Sequence, residues 1–266
     1  MNWEKWENKK NQIKKTETMN NQTTIEKLKQ MRLNAMAQMH YSNIQNNINQ
    51  DYTIDEYVSM LVDREWEDKQ NRKIKNLIKN ARFRFIATVK DIDYTANRQL
   101  DKNTFQRLAL LDFIRNKENI IITGATGTGK SYLAQALGHQ ACMMMYKTLY
   151  YNTVRLMERL KLARLEGNYT KTILSIEKAN LLILDDFGLA SFDNQARQAM
   201  MDIVERKYNH TSIIISSQVP VSGWHDLIGE GTIADAILDR IVYSSHRIQL
   251  KGESLRKNKF AIADLS

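Results

Sequence analysis

The chain has 266 residues, 42% of them hydrophobic and 26% charged, which excludes a wholly disordered or fibrous protein. Its 39 Lys and Arg against 30 Asp and Glu leave a net charge of +9, which suits an anionic polymer such as nucleic acid, with plain solubility charge as the alternative. The single cysteine, Cys142, excludes an internal disulfide, no apolar run nears the ~20 residues of a membrane span, and the polar start MNWEKWENKKNQIKK lacks a signal-peptide core, so a cytoplasmic protein with no membrane partner is expected.

One proline and ten glycines are few for a turn-rich β fold, so helices should dominate. Residues 1–22, rich in Asn, Lys and Glu, read as a disordered leader. Thr23 and Glu26 have the spacing of a capping box, followed by a helical stripe of Ile25, Leu28, Met31, Ala35 and Met39. Residues 43–50 (NIQNNINQ) read as a polar connection. Thr53 and Glu56 form a second capping box. It opens a long helix to about residue 80, with Tyr57, Val58, Leu61, Val62 and Trp66 on its apolar side.

The end of that helix carries Arg72, Lys73, Lys75, Lys79, Arg82 and Arg84, opposite Ile74, Leu77, Ile78 and Ala81. Such a basic face can lie along a duplex and contact phosphates without reading sequence; a solvated face is the alternative. Phe83 and Phe85 either stack on bases or dock the N-terminal part onto the domain that follows.

From residue 119 the texture changes. Short apolar runs at NIIIT (119–123), TLYYN (148–152), NLLILDD (180–186), SIIISS (212–217) and HRIQL (246–250) alternate with helical patterns. That order predicts a parallel sheet covered by helices on both faces.

The first of these runs leads into Gly124-Ala125-Thr126-Gly127-Thr128-Gly129-Lys130-Ser131, the pattern G-x-x-x-x-G-K-[ST] between a strand and a helix. Glycines let backbone N–H groups wrap an anion, and the positive end of the next helix faces it. Lys130 is placed to reach the β- and γ-phosphates of ATP, Ser131 to bind Mg²⁺, and Tyr132 closes the binding set. LLILDD then supplies Asp185 as the Mg²⁺ partner and Asp186 to orient or deprotonate the attacking water. After SIIISS, Gln218 is the first choice to hold that water or sense the γ-phosphate, with Ser217 second. Arg240, in AILDRI, reads as a surface arginine paired with Asp239 or Asp235, or as one that enters a neighbouring subunit's site. His139 and Cys142 share a helix face, but two ligands do not make a zinc site.

These motifs together resemble an AAA+ ATPase. More narrowly, the chain is similar to the IstB-like helper ATPases of insertion-sequence transposition, relatives of bacterial helicase loaders. The resemblance runs from about residue 24 to 257. It is carried by IEKLKQMRLNAMAQ (25–38), EYVSMLVDREWEDKQNRKIKNLIKNARF (56–83), ENIIITGATGTGKSYLAQALG (118–138), ANLLILDDFGLASFD (179–193), SIIISSQVPVSGW (212–224), AILDRI (236–241) and LKGESLRK (250–257).

The resemblance implies an α/β fold, an AAA+ P-loop NTPase with a parallel sheet flanked by helices, plus a small all-helical N-terminal domain. The expected division is a leader at 1–22, a helical DNA- or partner-binding domain at 23–90 and the ATPase domain at 91–266. It implies Mg²⁺-dependent ATP hydrolysis, homo-oligomers with nucleotide at subunit interfaces, assembly on duplex DNA, and help to a cognate transposase in selecting its target. Arg240 matches the trans-acting arginine of this clan. Asp186 stands where many members have Glu, one methylene longer, which implies slow turnover. Only 15 residues follow Lys251, too few for a helical lid. A helicase loader and a small-molecule P-loop kinase are the alternatives, the latter without a visible acceptor pocket or Arg-rich lid.

Overall fold

The computed structural model describes residues 20–46 and 52–255, together with Glu7. The chain divides into two compact units, Met1–Lys73 and Ile74–Ser266.

In the first unit, helix α1 covers residues 20–30, α2 is Asn34–Gln45, and α3 (Ile54–Ala81) starts here and runs on into the second unit. The helix of α1 is already under way at residue 20. Thr23 therefore lies inside it and is not its N-cap, and residues 20–22 of the expected leader are helical; the rest of 1–19 other than Glu7 lies outside the described residues. The expected single stripe over 25–39 is broken at 31–33. Arg32 adopts φ 60°, the left-handed turn that ends a helix, and leaves Met31 exposed. The polar connection starts later than predicted, because α2 continues to Gln45; residues 47–51 lie outside the described set.

The second capping box forms as predicted. The Thr53 N–H donates to Glu56 Oε2 at 2.8 Å, and the Glu56 N–H donates to Thr53 Oγ1 at 3.3 Å. Helix α2 has no cap of its own, since its N-cap position is Leu33. Glu65 of α3 supplies one from outside. Its Oε2 accepts the Ala35 and Met36 N–H groups at 2.9 and 3.1 Å, while Lys69 and Arg72 flank its other oxygen. A carboxylate there satisfies orphan donors and faces the positive end of the helix, which explains why Glu65 is buried. Of the predicted apolar side of α3, Leu61 is buried, but Val58, Val62 and Trp66 are exposed.

The second unit is built on five parallel strands in the order β2-β3-β4-β1-β5. They are β1 (Asn119–Gly124), β2 (Thr148–Asn152), β3 (Leu181–Phe187), β4 (Ser212–Ser217) and β5 (Ser245–Leu250). The strands read as unbroken apolar runs because both faces are covered. Ile120, Ile122, Ile183 and Ile214 face one core, shared with α4 (Lys102–Leu108), α5 (Asp112–Arg115) and α6 (Lys130–Met143). Ile121, Leu182, Leu184, Ile213 and Ile215 face the other. That side is packed by α7 (Thr153–Leu165), α8 (Tyr169–Glu177), α9 (Asn194–Lys207), α10 (Trp224–Ile228) and α11 (Gly231–Val242). Among the described residues no helix is long and apolar enough to cross a membrane.

Phe83 and Phe85 pack within this unit. Phe83 lies against Tyr150, with ring centroids 6.5 Å apart, and Phe85 stacks on Tyr132 at 5.9 Å. After β5, Lys251 donates its N–H to the Arg98 carbonyl and Leu255 to the Gly127 carbonyl, both at 3.0 Å. Residues 256 and 257, the end of the LKGESLRK segment, and all that follow lie outside the described residues.

Candidate active site

The carboxyl ends of the strands form one edge of the sheet, where open α/β folds place ligands. The loop from Gly124 to Gly129 leaves β1 there and enters α6 at Lys130. Gly127 and Gly129 have φ of +84° and +96°, backbone that L side chains rarely adopt. Each is also crowded. A Cβ on Gly127 would meet Ser254 at 2.0 Å, and one on Gly129 would meet the Arg98 guanidinium at 2.4 Å. The loop is braced from within, as Thr128 Oγ1 donates to the Ala125 carbonyl at 2.9 Å and Lys130 Nζ to the same oxygen at 2.8 Å.

A cavity of about 350 Å³ opens beside this loop. Thr126, Gly127, Gly129, Lys130, Ser131 and Tyr132 line it, and so do Asp186 of β3 and Gln218 just after β4. Thus most of the predicted binding residues face one space. Gly124, Ala125 and Thr128 of the same loop do not line it; the Thr128 hydroxyl and the Ala125 carbonyl brace the loop instead. Gln218 Oε1 accepts from Thr126 Oγ1 at 2.6 Å, which fixes it at the mouth of the loop. Ser217, the second choice for that role, is turned inward: it donates to the Phe187 carbonyl at 2.7 Å and accepts the Val219 N–H.

Asp185 is fully buried, and its carboxylate is surrounded by donors. Oδ1 accepts from Ser131 Oγ at 2.9 Å, from the Asp186 N–H at 3.1 Å and from Ser216 Oγ. Oδ2 accepts from the Tyr150 hydroxyl at 2.7 Å. Burial, then the charge of Asp185, pushes the Tyr150 phenol up, so it remains a donor. Asp186 differs from its neighbour. The β3–β4 register shifts between Leu184 and Phe187, and Asp186 takes φ +55°, which turns it into the cavity. Asn152 at the end of β2 donates to its Oδ2 at 2.9 Å.

The pairing of Ser131 with Asp185 suits Mg²⁺. A hydroxyl and a carboxylate are hard oxygen donors, and this ion takes one or two protein ligands, with phosphate and water completing its octahedron. Among the described residues no group of three or more His, Cys, Asp and Glu could hold a metal by itself, and His139 with Cys142 forms no such group.

Four residues of this edge carry no motif that marks them: Tyr150, Asn152, Ser216 and Arg98. Arg98 is 3% exposed and binds the Thr128 and Asp93 carbonyls at 3.3 and 2.8 Å, with its Nε buried and unpartnered. The only signal that could have found Tyr150 and Asn152 is position. They lie two apart at the end of the strand beside LLILDD, so both point to one face.

The basic residues divide. Arg72 and Lys73 belong to the first unit, where Arg72 pairs with Asp68 at 2.7 Å and Glu65 at 3.3 Å. Lys75, Lys79, Arg82 and Arg84 belong to the second, and all six are exposed. Arg84 lines the cavity beside Lys130, and its N–H donates to Gln135 at 2.7 Å. Arg240 pairs with neither Asp239 nor Asp235. Its guanidinium binds Glu205 of α9 at 2.9 Å and the Ala236 carbonyl at 3.0 Å, and lies 5.7 Å from the Tyr208 ring.

The IstB-like ATP binding protein family model matches residues 26–263. Protein y4pL of Sinorhizobium fredii, named as an insertion sequence ATP-binding protein, is 42% identical over 236 residues, covering 89% of this chain and 96% of its own. The protein named as ATP-binding in insertion sequence IS1162 of Pseudomonas fluorescens is 35% identical, covering 77% of this chain and 89% of its own. The crystal structure of DnaI matches at TM-score 0.51 and 18% identity, over 66% of this chain and 93% of that one. AMPPCP-bound DnaA from Aquifex aeolicus also matches at 0.51 and 18%, over 67% and 56%. The two structures share the fold.

Proposed function

The chain belongs to the IstB-like ATP binding proteins, and from that premise we propose that it is an ATP-hydrolysing AAA+ helper of DNA transposition. It assembles on duplex DNA in the cytoplasm and assists a cognate transposase in choosing a target. The observation that carries this reading is the meeting of Lys130, Ser131, Asp186 and Gln218 around one cavity, with buried Asp185 bonded to Ser131 behind it.

The loop N–H groups and the positive end of α6 receive the phosphates, and Lys130 turns from the Ala125 carbonyl to the β- and γ-phosphates. Ser131 and Asp185 would hold Mg²⁺, which would offset the phosphate charge that develops during transfer. Asp186 orients the attacking water and accepts its proton. The water oxygen bonds to the γ-phosphorus as the bond to the β–γ bridging oxygen breaks, leaving ADP and phosphate. Gln218, held by Thr126, fixes the water or the γ-phosphate. Arg240 serves the neighbouring subunit, exchanging Glu205 for phosphate charge in an oligomer with nucleotide at its interfaces. Arg72, Lys73, Lys75, Lys79, Arg82 and Arg84, within a helical part at residues 23–90, contact DNA phosphates.

The test is ATP turnover by wild type and Lys130→Ala with no DNA, single-stranded DNA or duplex DNA. Stimulation mainly by duplex, lost in the variant, is expected. Stimulation mainly by single strands would favour a helicase loader. Indifference to both DNAs would reduce the basic residues to solvation and overturn the DNA-dependent part.

A further inference from the structure

The buried carboxylate of Asp185 has two oxygens in different surroundings. Oδ1 faces Ser131, at 2.9 Å, and Oδ2 faces Tyr150, at 2.7 Å. Tyr150 reaches it from the adjacent parallel strand, where its register partner is Ile183, two residues before Asp185. The ring is buried and lies against Phe83, so the hydroxyl has little freedom. A carboxylate rotates about its Cβ–Cγ bond unless both oxygens are fixed. Oδ1 is held by Ser131, Ser216 and the Asp186 N–H together, whereas Oδ2 is fixed by the Tyr150 hydroxyl. Tyr150 bonds to Oδ2, the oxygen that Ser131 does not touch.

We propose that Tyr150 is a positioning residue that sets the divalent-cation affinity of the site by locking Oδ2 of Asp185 and presenting Oδ1 to Ser131. This rests on the reading of Ser131 and Asp185 as the Mg²⁺ site. Residues that orient a metal ligand without touching the metal typically change affinity about 10–100-fold when altered. Tyr150→Phe keeps the ring and its packing and removes only the donor.

The experiment titrates Mg²⁺ against binding of a fluorescent ATP analogue to the full chain, and separately measures analogue binding in EDTA. Tyr150→Phe should leave binding in EDTA unchanged and raise the Mg²⁺ midpoint about tenfold. Thr153→Val is the structural control. Thr153 donates to the main-chain carbonyl of the same Asp185 at 2.8 Å, so its loss disturbs the strand end and spares the carboxylate. An unchanged midpoint in Tyr150→Phe, or an equal rise in Thr153→Val, overturns the proposal. If Tyr150→Phe proves too unstable to titrate, Tyr150→Met, which also lacks the donor, should raise the midpoint; a wild-type midpoint overturns the proposal. If Ser131→Ala and Asp185→Asn both keep the wild-type midpoint, the metal-site reading itself fails, and the role of Tyr150 falls with it.

Discussion

Asp185 and Trp66 mark opposite extremes of this chain. Asp185 is fully buried at the edge of the sheet, and four donors surround its carboxylate. Trp66 on α3 is 64% exposed, with Val58 and Val62 exposed on the preceding turns. A charge taken from water must find partners or titrate away, so a buried carboxylate permits few arrangements of its surroundings. An apolar stripe states only that a face is apolar. Leu61 and Trp66 fit the same helical pattern, yet one is buried and the other is not. Polar burial therefore specifies a neighbourhood, whereas amphipathicity specifies a direction.

The comparison can be broken at either end. The largest effect should come from Lys130→Ala, which removes the one loop side chain placed to meet phosphate charge. Binding of a fluorescent ATP analogue and phosphate release should both fall by a hundredfold or more, roughly the cost of deleting a preorganised donor. Asp186→Asn should keep analogue binding but lower turnover by about 10²–10⁴-fold, the usual share of a general base. Loss of binding as well would assign Asp186 to holding the nucleotide. Asn152→Ala frees Asp186 Oδ2 and should alter turnover less than Asp186→Asn does.

Stability should separate the two regions by a smaller margin. Leu182→Ala in the sheet core should cost about 2–5 kcal/mol in urea unfolding. Trp66→Ser should stay within about 0.5 kcal/mol, as substitutions at exposed positions do. An equal cost for both would show that the α3 face is covered in solution, and the contrast would collapse.

A pH-dependent contrast concerns Lys207 of α9, buried and donating to the Ala179 carbonyl at 2.6 Å. Burial lowers its pKa from 10.5 to about 7, with Glu177 opposing the shift. The unfolded chain then holds the proton more tightly, so between about pH 7 and 10.5 this group makes stability rise with pH. Unfolding curves of wild type and Lys207→Met should therefore converge or separate steadily over that interval. A difference constant with pH would mean that Lys207 stays charged throughout.

Much of the fold was legible in the sequence because its strands are buried on both faces. TLYYN and SIIISS coincide with β2 and β4, NIIIT and HRIQL each fall one residue short at one end, and NLLILDD is offset from β3 by one residue at both ends. The same holds for the phosphate loop and the Thr53–Glu56 box, whose partners lie within eight residues of one another. Failures came where a local spacing did not settle the wider context. The Thr23–Glu26 spacing suits a cap, but the helix starts earlier and carries past it. Asp235 and Asp239 flank Arg240 in sequence, but packing of α11 on α9 delivers Glu205 instead.

The sequence by itself determined where strands, helices and the phosphate loop lie, because periodicity and turn chemistry act over a few residues. Only the tertiary structure decided what surrounds the two aspartates. Tyr150 on β2 and Ser216 on β4 reach Asp185 because parallel registers bring three strand ends level. The bulge between Leu184 and Phe187 sends Asp186 to the cavity while Asp185 stays inside. Register and bulge follow from packing both sheet faces at once, and no short stretch of sequence contains that condition.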